Sequence, residues 1–229
     1  MDRLGIEFIT VLGQDPVDFV NLSADLGAPR IGLALAPVVT ASDDTPRWSM
    51  RDDADLYARV RSAITGRNVT VMLGEGFLIH PQMDIANAAG DMDLLAGLGT
   101  QKVNIVGLEP DTGRCHDQFA LFAAMAAERG MGATIEFMPG VAIDSLAKAE
   151  ACVRASGLAS AGILLDSMHF FASGATVGEL AALDPALIGH AQICDLAAIP
   201  PLAEYANFAR WERLAPGDGS LPLCEFVKA

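Results

Sequence analysis

Short apolar runs that close on polar residues, each followed by a helical stretch, recur along this chain and constrain its fold more than any other feature. The segment from Ala161 to Asp195 shows the unit most clearly. Gly162-Ile-Leu-Leu-Asp166 lacks polar alternation, as expected of a strand buried on both faces. It ends in Asp166, with His169 three residues on. A turn at Ala172-Ser-Gly174 follows, then Thr176 with Glu179 three residues later, the spacing of a reciprocal cap at a helix start. That helix stops near Asp184-Pro185, and the next strand, Ile188 to Cys194, carries His190 and Gln192 ahead of Asp195. Imidazole, amide and carboxylate groups are costly to place in a core without a task.

The same alternation predicts further strands at Gly5–Leu12, Arg30–Pro37, Asn68–Leu73, Lys102–Gly107 and Gly132–Pro139, making seven in all. Helices are expected from Pro16 to Leu26, Asp52 to Thr65, Met83 to Leu98, just after His116 to Arg129, Ile143 to Ala155 and Pro222 to Lys228. Strands alternating with helices give a parallel sheet. A doubly wound sheet would want a glycine-rich phosphate turn after the first strand, and Gly13-Gln-Asp-Pro16 is not one. The regular period and the polar strand ends favour an α/β fold of the (β/α)8 TIM-barrel type, with seven βα units visible and strand eight missing. Residues 1–229 then form a single barrel domain. The expectation is that the native protein continues for about one further βα unit with an acidic residue at its strand end.

Composition narrows the partners. A formal charge of -14 argues against nucleic acid or an anionic membrane, and no apolar run is long enough to span a bilayer. The four cysteines form no CxxC pair or framework, which points to reduced thiols and a cytoplasmic location. The segment Thr40 to Arg51, with Trp48, reads as a lid or as a plain long loop.

Glu136, Asp166 and Gln192 carry the functional reading. Each sits near the end of a consecutive predicted strand, 30 and 26 residues apart, one βα unit in each case. Strand parity puts Thr134 with Glu136, Leu164 with Asp166 and His190 with Gln192 on shared faces. If those faces look into the barrel, three oxygen donors converge. Such a set suits Mg²⁺ or Mn²⁺, with Co²⁺ or Zn²⁺ as alternatives. Without a cation, two buried carboxylates would repel each other; the bland alternative is that each pairs separately with an arginine or caps a helix. All four histidines, His80, His116, His169 and His190, fall at or near a predicted strand end.

Thr134-Ile-Glu136-Phe, Leu165-Asp166-Ser-Met-His169, Gly189-His190-Ala-Gln192-Ile-Cys-Asp195 and Arg213-Leu-Ala-Pro-Gly-Asp-Gly219 resemble, in order, the signatures of the xylose isomerase-like TIM barrels, the sugar phosphate isomerase/epimerase family. The resemblance spans most of the chain, since Asn21-Leu-Ser-Ala-Asp-Leu-Gly27 also fits the family's first helix. It implies that Glu136, Asp166 and Gln192 bind a divalent metal and that His169 contacts substrate. Gln192, where sugar epimerases often carry His, is similar to the hydroxypyruvate isomerase branch. The family's fourth ligand, a Glu ending strand eight, has no counterpart here. Ala142 stands where keto-sugar epimerases carry a substrate-binding Glu, and Ala198 where they carry an Arg. A segment rich in Ala and Pro, Leu196 to Trp211, separates the seventh strand from the Pro216-Gly-Asp-Gly219 turn.

These residues imply proton-transfer chemistry. A metal would polarise a carbonyl and acidify its neighbouring carbon. Glu136 and His169 would be the catalytic pair, and the reaction an isomerisation or epimerisation of a small sugar or hydroxy ketone through an enediolate. His80, His190 and Arg213 are the expected substrate contacts, with Arg114 and Arg210 as further candidates for an anionic group. The alternatives are a non-catalytic metal- or sugar-binding barrel and a related dehydratase. The partner is a small carbohydrate-like molecule, with a homo-oligomer left open.

Overall fold

A computed structural model describes residues 4–37 and 47–229. Six strands are described: β1 (Arg30–Ala34), β2 (Thr70–Ile79), β3 (Lys102–Gly107), β4 (Gly132–Glu136), β5 (Ala161–Asp166) and β6 (Ile188–Gln192). They form one sheet in chain order, β1-β2-β3-β4-β5-β6. The pairings of β1 with β2, β4 with β5 and β5 with β6 are parallel. Every residue of β5 is buried, which is why its sequence shows no alternation. Helices fill the intervals: α1 (Pro16–Asp25), α2 (Ala54–Gly66), α3 (Ala89–Gly97), α4 (Thr112–Glu128), α5 (Leu146–Ser156), α6 (Ser167–Ala172), α7 (Val177–Ala182), α8 (Tyr205–Trp211) and α9 (Leu223–Lys228). None of the described helices is long and apolar enough to cross a membrane.

The chain divides into two compact units. The first comprises Met1–Phe77, Asn87–Asn104 and Met125–Met131. Within it, Asp15 caps α1 by accepting the Val17 N–H at 2.8 Å, with Pro16 in the first helical position. Asp53 caps α2 in the same way through Leu56 N–H, at 2.8 Å. Phe8 packs edge-on against Phe19 (5.6 Å) and Trp48 (5.4 Å). The second unit comprises Leu78–Ala86, Ile105–Ala124 and Gly132–Ala229. Here the capping box at Thr176 and Glu179 forms as its spacing implies. Gly162 and Gly189 let β5 and β6 approach closely: a Cβ on Gly162 would lie 2.8 Å from Gly189 Cα, and one on Gly189 3.3 Å from Gly162 Cα and 2.4 Å from Thr134 Cγ2 on β4.

Four expectations need correction. Gly5–Leu12 is not a strand but a single parallel bridge, Ile6 with Ile31, followed by a 3-10 turn over Phe8–Val11. Burying Phe8 between Phe19 and Trp48 takes the backbone out of the ladder, so six strands are described rather than seven. β2 runs on to Ile79, past the expected end at Leu73 and through Gly74 and Gly76. Gly74 is there because a Cβ would stand 2.7 Å from Leu95 Cδ1, a close approach rather than a turn. The helix expected from Met83 starts as a 3-10 turn at Ile85–Ala88 and becomes α3 only at Ala89. Finally, α4 starts at Thr112 rather than just after His116, and α6 and α8 are helices where none was expected. Residues 40–46 of the expected lid lie outside the described residues.

Candidate active site

Glu136, Asp166 and Gln192 are the last residues of β4, β5 and β6, where the strand spacing puts them. Register aligns Glu136 with Leu164 and Leu164 with His190 in one row across the sheet. Asp166 pairs with Gln192 in the next row on the same face. The chain then turns from strand to helix at Asp166 itself. Its Oδ1 accepts the N–H groups of Met168 (2.8 Å) and His169 (3.2 Å), capping α6. That cap sets His169 one turn above the sheet, with Nε2 3.3 Å from Glu136 Oε1. Ser167 Oγ donates to Cys194 O (2.7 Å) and accepts from Cys194 N (3.0 Å), tying the start of α6 to the end of β6.

Glu136, Asp166 and His169 are all buried, and each offers a ligand atom within 4.8 Å of the other two. Donor atoms sharing one ion at about 2.0–2.2 Å lie roughly 3–4 Å apart, so these three side chains are close enough that small rotations would let them share a divalent ion. A carboxylate has about four lone-pair sites. The N–H groups of Met168 and His169 and the Cys194 thiol (3.9 Å) all meet Oδ1, whereas Oδ2 meets one guanidinium donor, so Oδ2 is the oxygen with a lone pair to offer an ion.

That guanidinium belongs to Arg213. Its Nη1 donates to Asp166 Oδ2 at 2.6 Å and to Cys194 Sγ at 3.1 Å, while its Nε donates to Ala209 O at 2.7 Å. Burial alone would push the Asp166 carboxyl up. The charge of Arg213 and the hydrogen bonds from Arg213 and the His169 N–H outweigh it, so the group sits below the ordinary carboxylate range. Arg213 shifts the other way: burial lowers it most, but the Asp166 charge, the hydrogen bond to Asp166 and the other acidic groups nearby together raise it more, and it stays a cation. Burial, and then the Asp166 charge, push the Cys194 thiol up.

Among the other sequence candidates, His80 directly follows β2, and its Nδ1 accepts the Gln82 N–H at 3.3 Å. His190 stands in the middle of β6, in the Glu136 row. His116 lies in α4. Arg114 is bonded to Glu109, His80 O and Met83 O, and braces the end of β2. Arg210 is exposed on α8.

Two residues escaped the sequence reading. Tyr205, at the start of α8, places its hydroxyl against His169 Nδ1. It arises from the segment read only as rich in Ala and Pro, and a contact spanning 36 residues leaves no local signal. Asp195 was noted only as a polar strand end. Its buried carboxylate accepts N–H groups from Leu196 (2.8 Å), Gly217 (3.0 Å) and Leu221 (3.0 Å). Its backbone pairs with Leu214, next to Arg213, through two 2.9 Å bonds. A Cβ on Gly219 would fall 2.4 Å from Asp195 Oδ1, so the glycine lets the loop wrap this carboxylate.

Burial works against the Asp195 charge, but the backbone N–H bonds prevail and hold the group below its ordinary value. A depressed folded-state pKa stabilises above the unfolded value and is lost as pH falls through that window. The stability gap between wild type and Asp195→Asn should therefore be constant above about pH 4 and close below it. Denaturant melts at stepped pH check this.

Neither a protein-family model nor a curated protein matches the chain by sequence. Solved structures do match. The IolI protein with a bound zinc atom aligns with a TM-score of 0.79 at 18% identity, over 99% of this chain and 83% of that one. A xylose isomerase domain protein from Salmonella typhimurium LT2 gives a TM-score of 0.79 at 16% identity, over 99% and 83%. D-psicose 3-epimerase crystallised with D-fructose gives 0.74 at 16% identity, over 98% and 78%. The chain has the fold of the xylose isomerase-like TIM barrels.

Proposed function

We propose that the protein is a divalent-metal-dependent isomerase or epimerase of a small sugar or hydroxy ketone. The observation that carries this is the buried meeting of Glu136 and Asp166, with His169 beside them, at consecutive strand ends. Fold relatives that include an epimerase and a zinc-binding protein support it. In this reading the six described strands belong to a (β/α)8 barrel. Glu136 and Asp166 hold the ion, with Gln192 as the neighbouring oxygen donor. Mg²⁺ or Mn²⁺ suits those oxygens best, and Co²⁺ or Zn²⁺ is the alternative. When bound, the ion supplies Lewis acidity to a substrate carbonyl.

The chain's own residues do the rest. Glu136 takes a proton from the carbon next to the carbonyl and, in an isomerisation, returns it to the adjacent carbon on the same face; an epimerisation needs a second acid on the opposite face, the place of the strand-eight Glu that the resemblance implies. His169 holds a substrate oxygen. Arg213, fixed by Asp166 and Ala209 O, offers its remaining N–H groups to a second oxygen. His190, in the Glu136 row, and His80, past the end of β2, complete the substrate contacts. The four free cysteines fit a reducing cytoplasm.

Calorimetric titration with Mn²⁺ tests the metal assignment. Asp166→Asn keeps the cap on α6, because Asn caps as Asp does, but removes the charge. Its affinity for the ion should fall at least tenfold. Unchanged affinity and stoichiometry would overturn the assignment.

A further inference from the structure

The line Tyr205–His169–Glu136 runs through the site, and the catalytic reading above uses only its last two members. The Tyr205 hydroxyl meets His169 Nδ1, with the two rings 5.7 Å apart and tilted by 50°. On the other side of the imidazole, Nε2 is 3.3 Å from Glu136 Oε1. An ionised carboxylate can only accept, whereas a phenol can donate or accept. The arrangement in which every polar atom is matched therefore has the ring proton on Nε2, facing Glu136. The Nδ1 lone pair then receives the tyrosine O–H.

Burial enforces this choice. Tyr205 packs with Met168, Leu196 and Ala209, so its hydroxyl is shielded from solvent. Burial, and then the Asp166 charge, push the phenol up, so it keeps its proton and remains able to donate. The same short stretch of chain, α8 and the residues just after it, also delivers Arg213 to Asp166. The segment between β6 and the Pro216–Gly219 turn thus supplies one group to each half of the site.

We propose that Tyr205 is a positioning residue that fixes His169 with its ring proton on Nε2, making His169 a hydrogen-bond donor rather than a base or a metal ligand. If Nε2 bound an ion, the ring proton would move to Nδ1 and Tyr205 would have to accept. The tautomer claim rests on geometry alone. Its consequence, that proton abstraction falls to Glu136 alone, rests on the isomerase reading.

Long-range ¹H–¹⁵N correlation on histidine-labelled protein tests it, with Mg²⁺ or Zn²⁺ added in a second sample. The protein has four histidines, and His169→Gln assigns the ring. The expected result is a protonated Nε2 and an unprotonated, hydrogen-bonded Nδ1, unchanged by either ion. In Tyr205→Phe the Nδ1 resonance should move toward that of a nitrogen with no donor. Should that variant fail to fold, 3-fluorotyrosine at both tyrosines offers a stronger donor of nearly the same size. It should move the Nδ1 resonance in the opposite direction. A protonated Nδ1, with or without ion, would overturn the proposal, as would an Nδ1 resonance indifferent to Tyr205. In kinetics, Tyr205→Phe should lower kcat about tenfold with KM within twofold, the pattern of a lost transition-state contact. A wild type that turns over no substrate would count against the isomerase reading, while the NMR still decides the role of Tyr205.

Discussion

Replacing Arg213 with Ala should cost about 3–5 kcal/mol of folding stability, a large share of what a domain of this size has. The Asp166 carboxylate is fully buried, and Arg213 is the cation bonded to it, at 2.6 Å. The variant leaves that charge in the interior with only two N–H donors, which is the expensive half of a broken buried pair. Arg213→Met should do nearly as badly, because it restores packing but not charge. Removing both charges together, Arg213→Met with Asp166→Asn, should recover much of the loss, since Asn keeps the cap on α6 without needing a counter-ion. Urea melts of the three variants measure this. A double variant less stable than Arg213→Met would show that the ion pair is not what stabilises this corner.

Much of this corner was legible in the sequence, because burial on both faces leaves an unmistakable trace. Leu164 and Leu165 allow no alternation before Asp166, and that run places the end of β5 on Asp166, whereas β4 and β6 stop at Glu136 and Gln192, short of the expected ends at Pro139 and Cys194. β3 matches its expected bounds at both ends for the same reason. Gly5–Leu12 misled because an apolar segment around Phe8 fits a ladder or a tight turn equally well, and packing on Phe19 and Trp48 decided between them. α6 and α8 are too short to show a period, six and seven residues long. Arg213 was expected to meet substrate, yet its partnership with Asp166 spans 47 residues, and that of Tyr205 with His169 spans 36. Contacts of this kind are properties of the folded chain, with no pattern of their own in the sequence.

Glu136→Gln should leave the fold intact and slow proton transfer by about 10²–10⁴-fold, the usual contribution of a positioned base. The side chain keeps its shape but loses its basic oxygen. The residue is buried at the end of β4 beside His169, so water is poorly placed to take over the proton. The direct measurement is solvent exchange in D₂O, followed by NMR, with the Mn²⁺- or Mg²⁺-loaded protein and a panel of small 2-hydroxy ketones, ketoses and inositol-derived ketones. A metal-dependent isomerase or epimerase predicts deuterium at the carbon next to the carbonyl of at least one compound, lost on chelation and suppressed in Glu136→Gln. No exchange in any member of the panel by metal-loaded wild type, or exchange that survives Glu136→Gln at the full rate, would contradict it.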